Sequence, residues 1–114
     1  MPVSDAVSAA AAVDSLARAG ADFIKVYTLL SKEAYFAAIA EARHVGLPVA
    51  GHVPAAVTVE EAARAGQRSI EHLRDEIEPL CSPSAVGACG QLAALFRTES
   101  TWQVPTLVVL RFTD

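Results

Sequence analysis

The chain has little of several things that usually announce a function. Its 114 residues include nine lysines and arginines against 13 acidic residues, and the basic ones are scattered rather than clustered. A net charge of −4 without a basic stripe excludes the electrostatic footprint of a nucleic-acid binder. No apolar run approaches the roughly 18 residues needed to cross a bilayer, which argues against a membrane partner. The region after Met1 lacks the basic start and apolar centre of a signal peptide, so a cytoplasmic location is the default; an export signal of a longer parent would precede this residue. Cysteine is nearly absent. Cys81 and Cys89, in "CSPSAVGAC", form no CxxC pair and no second cluster, so they indicate neither zinc nor redox chemistry and read as ordinary core or loop thiols. Aromatics are few, at 6%, while 53% of the residues are apolar and many are alanine. That balance suits closely packed helices against a buried sheet, within one soluble globular domain spanning residues 1–114.

What is present becomes ordered once glycines are used as punctuation. "SDAVSAAAAVDSLARAG" opens with Ser4 or Asp5 as N-cap and meets Gly20 where a helix stops. "ADFIKVYTLL" then reads as a strand. "SKEAYFAAIAEARHVG" repeats the plan, with Ser31 as N-cap and Gly46 as terminator, before the strand "LPVAGHV". In "TVEEAARAG" the pair Thr58 and Glu61 has the spacing of a capping box, Gly66 closes the helix, and "RSIEHL" follows as a strand. Beyond it, "QLAALF" reads as a helix and "TWQVPTLVVL" as a last strand, whose Pro105 fits an edge or bulge. Alternation of this kind predicts an α/β fold with parallel strands, because parallel neighbours need a crossover helix.

Strands buried on both faces ought to be apolar, and three residues break that rule. Lys25 lies five residues after Gly20, His52 six after Gly46 and His72 six after Gly66. The count places all three near the carboxyl ends of successive strands. Side-chain alternation groups Phe23, Lys25 and Tyr27 on one face, Ala50 with His52 on the next strand, and Ile70 with His72 on the third. Convergence at strand carboxyl ends is where α/β enzymes place their chemistry. Two neutral imidazoles are a common metal-binding pair. A buried lysine tends toward the free amine, which can act as a nucleophile or base or capture carbon dioxide. As a carbamate it would be an anionic oxygen ligand rather than a cation opposing the metal.

At "GADFIKVY", "GLPVAGHVP" and "SIEHL" the chain resembles strands four, five and six of the metal-dependent amidohydrolase superfamily, in the branch that includes imidazolonepropionase-like and prolidase-like enzymes, with "WQVPTLVV" as strand seven. The resemblance implies a partial (β/α)8 TIM-type barrel of about four parallel strands with outer helices, the central fragment of a presumed parent. It also implies that Lys25, carboxylated, bridges two divalent metals and that His52 and His72 bind the second. The cofactor would be one or two divalent ions, zinc first among them. The parent reaction would be hydrolysis of an amide or related C–N bond in a small-molecule or peptide-like substrate. The family's first-strand His-x-His pair is missing, and no Asp ends an eighth strand; Asp114 is simply the last residue. Without that base, which takes the proton of the attacking water, a rate loss on the order of 10² to 10⁴ is expected, so the chain by itself should be inactive or nearly so.

Other readings attach to the same residues. His52 and His72 taken singly could be satisfied core histidines; it is their shared register with Lys25 that favours the site. His44 reads as a solvated residue at a helix C-terminus. Glu71 points away from His72 by alternation and has no assigned role. Tyr27 and Trp102 read as packing residues before substrate contacts. Arg74, Asp75, Glu76 and Glu78 form a charge run typical of a solvated loop. The alternative to a hydrolase is a non-catalytic α/β module that binds a small ligand or self-associates through open sheet edges.

Overall fold

The computed structural model describes residues 3–72 and 77–110, so the charges at positions 74–76 and Asp114 lie outside the described residues. Helix α1 (Ala6–Arg18) starts where the Asp5 carboxylate accepts from the Ser8 amide while Ser8 accepts the Asp5 amide. Strand β1 (Ile24–Val26) follows, then α2 (Lys32–His44), capped by the Ser31 side chain. After β2 (Val49–Gly51) comes α3 (Val59–Ala65), with the capping box of Thr58 and Glu61 in place and Gly66 left-handed at its end. Strand β3 (Ser69–Glu71) leads through two short 3-10 helices to α4 (Val86–Glu99), β4 (Trp102–Val104) and a single turn, α5 (Leu107–Leu110).

The four strands form one parallel sheet in the order β1-β2-β3-β4, with helices outside, and the sheet does not close. This is the α/β architecture expected, a partial TIM-type arrangement. Ile24, Val26, Val49 and Ile70 face the helices and are buried there with Ala34, Tyr35, Ala38, Ile39, Ala62, Ala63 and Phe96. Alanines at the helix contacts let the helices sit close to the sheet. None of the described helices is long and apolar enough to cross a membrane.

Two expectations need correction. The last apolar stretch is not one strand: β4 ends at Val104, because Pro105 has no amide to continue the ladder, and Leu107–Leu110 turn helical. Pro105 therefore follows an edge strand, as its chemistry requires. The cysteines are not separate thiols. Cys81 and Cys89 are bonded, with Cα atoms 4.6 Å apart, and fasten the first 3-10 helix to α4. Such bonds persist in oxidising compartments, so they lend no support to a cytoplasmic default.

The caps carry a testable energy. Thr58→Ala leaves the Glu61 amide without its acceptor and should cost about 1 kcal/mol in urea denaturation. The Lys32 ammonium and the Thr58 amide also hold the Glu61 carboxyl below its usual range. A depressed carboxyl stabilises the fold above its unfolded pKa and loses that effect as pH falls. Stability should therefore decline on acidification through and below roughly pH 4, and Glu61→Gln should flatten that decline in pH-dependent melts.

Candidate functional site

Register decides which side chains meet. Lys25 pairs with Ala50, Ala50 with Ser69, and Ser69 with Trp102, forming one row on the face away from the helices. The next row outward on that face holds Tyr27, His52, Glu71 and Val104, one residue beyond the aligned Val26, Gly51, Ile70 and Gln103. Lys25 is thus not level with the histidines; it lies two residues deeper than His52. Equal counts from the terminating glycines do not give equal heights, because the aligned Lys25, Ala50 and Ser69 lie five, four and three residues after Gly20, Gly46 and Gly66, and each one-residue slip exchanges the faces.

The third strand shows the consequence. Ile70 does not share a face with the site but is fully buried against the helices, and Glu71 is the inward residue. His72 would then point outward by alternation. Its backbone instead adopts φ 61°, a left-handed conformation uncommon for a non-glycine residue, and its imidazole comes to the same mouth. The His52 and His72 ring centroids are 4.8 Å apart, and Tyr27 lies 4.4 Å from His52 on the other side. His72 Nδ1 is 2.6 Å from Thr106 Oγ1, which orients the ring and leaves Nε2 on the side of Glu71 Oε2, 4.0 Å away.

Lys25 does not have the buried environment expected of a free amine. Its side chain is 47% exposed, and Nζ donates to Glu71 Oε2 at 2.6 Å, reaching over the small Ala50 between them. Glu71, 19% exposed, therefore stands between the lysine and His72. It is the site residue that reading alternation alone left out; a correct register for β3 would have found it. Because one partner is well solvated, the pair should contribute at most about 1 kcal/mol, and Glu71→Gln should barely move the urea midpoint.

Tyr27 and Trp102, expected as packing residues, are 61% and 67% exposed on this face. His44 is exposed at the end of α2, as its sequence position implied.

Among the described residues, no three of His, Cys, Asp and Glu stand together as a metal site. The two imidazoles are nevertheless close enough to share one ion, and one of them is oriented through its second nitrogen as metal-binding histidines are. Two imidazoles alone are too few donors for a divalent ion; a third, anionic donor would have to come from a modified Lys25 or from Glu71, which is now paired with that lysine.

No family profile matches the chain, and no curated protein matches it at a significant level. Among solved structures it is similar to one described as "AH, Bottromycin amidohydrolase", with 35% identity over 83% of this chain and a TM-score of 0.59. The chain spans 21% of that protein's length. This similarity supports an amidohydrolase-type relationship.

Proposed function

We propose that residues 1–114 supply the strand-four-to-seven part of an amidohydrolase-type barrel whose reaction is hydrolysis of an amide or related C–N bond. The observation that carries this reading is the meeting of His52 and His72 at the strand ends, 4.8 Å apart, beside a lysine reached through Glu71. The 35% identical neighbour, named an amidohydrolase, is consistent with the same chemistry. The imidazolonepropionase-like and prolidase-like branch remains the family assignment that the three strand motifs favour.

His52 and His72 would hold a divalent ion, zinc first, joined by Lys25 as a carbamate. When bound, that ion would supply Lewis acidity toward a carbonyl and a more acidic water. The chain's own groups have separate tasks. Thr106 holds the His72 ring so that Nε2 stays directed inward, and Glu71 pairs with the Lys25 ammonium, which would have to lose a proton to Glu71 or solvent before the neutral amine adds carbon dioxide and releases a second proton. Substrates would be small molecules or peptide-like amides approaching the face where Tyr27 and Trp102 are exposed. Among the described residues none takes the place of the family's last-strand aspartate, so residues 1–114 assayed alone are expected to hydrolyse none of a panel of dipeptides and N-acyl amino acids above background.

The lysine is tested by carbon NMR with ¹³C-bicarbonate and zinc. A carbamate carbonyl resonance present in the native chain and lost in Lys25→Met is expected; its absence from both would sink the bridging role.

A second reading is favoured by the sheet edges. Strands β1 and β4 end the sheet, and Leu29, Tyr27, Trp102 and Val104 are exposed near them. Self-association through these edges is expected in sedimentation velocity, whether or not metal binds.

A further inference from the structure

Gln67 is fully buried, at 0% exposure, in the turn between α3 and β3. A buried primary amide is costly unless its donors and acceptor are all used. Here they are. Oε1 accepts from the Tyr35 hydroxyl at 2.6 Å, and the two N–H groups of Nε2 are shared among the carbonyls of Gly51 at 3.1 Å, Ser69 at 3.0 Å and His52 at 3.3 Å. Tyr35 is itself fully buried, and burial pushes its phenol far above its usual range, which keeps it a neutral donor.

The place of these bonds is what matters. Gly51, still paired with Val26 and Ile70, takes φ 116° and ends β2, so the backbone polar groups just beyond it, at His52, need partners other than a continuing ladder. Gln67 provides them from the β3 side, while the His52 amide donates to the Val26 carbonyl at 3.1 Å on the β1 side. Both backbone polar groups of His52 are thereby held, and its ring lies between those of Tyr27 and His72. We propose that Gln67, backed by the Tyr35 hydroxyl, is a positioning residue that holds the end of β2 and directs the His52 imidazole toward His72. The inference rests on the proposed metal role of His52 for its functional meaning, but the ring placement stands independently of it.

The test uses the full chain, Gln67→Leu and Tyr35→Phe. Three readouts are taken: the nuclear Overhauser effect between the His52 and His72 rings without metal, cobalt(II) affinity by absorption, and thermal midpoint. In Gln67→Leu the ring-to-ring signal should vanish and cobalt affinity fall roughly tenfold or more, the range of lost outer-sphere support. Tyr35→Phe should weaken both in the same direction. Retention of the ring contact and of cobalt affinity in Gln67→Leu, with only a lower midpoint, would overturn the proposal by showing a purely structural amide. If Gln67→Leu does not fold, Tyr35→Phe decides: weakening of the ring contact supports the positioning role and an unchanged contact overturns it. Should the native chain bind no cobalt, the metal reading fails, and the ring contact alone judges Gln67.

Discussion

Replacing His52 or His72 by alanine is expected to lower affinity for zinc or cobalt(II) by on the order of 10²-fold or more, since loss of a direct ligand should exceed the 10- to 100-fold cost of losing outer support. The expectation follows from the small number of donors. On the proposed donor set of two imidazoles and a Lys25 carbamate, the carboxylate beside them is Glu71, 4.0 Å from His72 Nε2 and engaged by Lys25, and no group of three His, Cys, Asp and Glu stands together among the described residues. Removal of one ring therefore leaves too few ligands for the three-point attachment of a catalytic zinc. His44→Ala is the control, because His44 is exposed at the end of α2 and should leave affinity unchanged. Titration calorimetry separates the cases. Equal binding by the native chain and both single variants would place the metal elsewhere or deny the site altogether.

The second large effect is on stability. Gly51→Ala should destabilise the chain by about 3 kcal/mol, adding left-handed backbone strain to a steric collision. At φ 116° an L side chain is disfavoured, and a Cβ there would strike the Val26 carbonyl oxygen and press on Lys25 Cγ. Backbone cannot yield as a flexible side-chain end can, and the struck carbonyl is the one that accepts the His52 amide. Gly20→Ala offers the comparison: φ is 81° but nothing lies within 4 Å of the added carbon, so only about 1 kcal/mol is expected. Urea unfolding of the two variants should show this ratio. Similar midpoints for both would mean that the tight crossing of β1 and β2 carries no steric demand.

The parts of the fold set by local chemistry could be read from the sequence. Asp5, Ser31 and the Thr58–Glu61 box cap helices where their residue types and spacing say they should, because a cap involves only neighbours in the chain. The parallel sheet followed from helices alternating with apolar runs. What depended on contacts between distant segments was harder to read. The inward position of Glu71 depends on how β3 aligns with β2, and the orientation of His72 depends on a single left-handed residue with no glycine to mark it. The Lys25 environment changed for the same reason: its partner Glu71 could not be identified until that alignment was known. Gln67 carried no motif at all, since a lone glutamine next to a terminating glycine looks like surface until Tyr35, Gly51 and His52 surround it.

The most direct test is a crystal structure of the chain grown with zinc and bicarbonate, with anomalous diffraction recorded at the zinc edge. An anomalous peak about 2.0–2.1 Å from one nitrogen each of His52 and His72, with carboxylate density extending from Lys25 Nζ, is the predicted result. Zinc bound elsewhere, or an intact Lys25–Glu71 pair with no peak between the imidazoles, would contradict it.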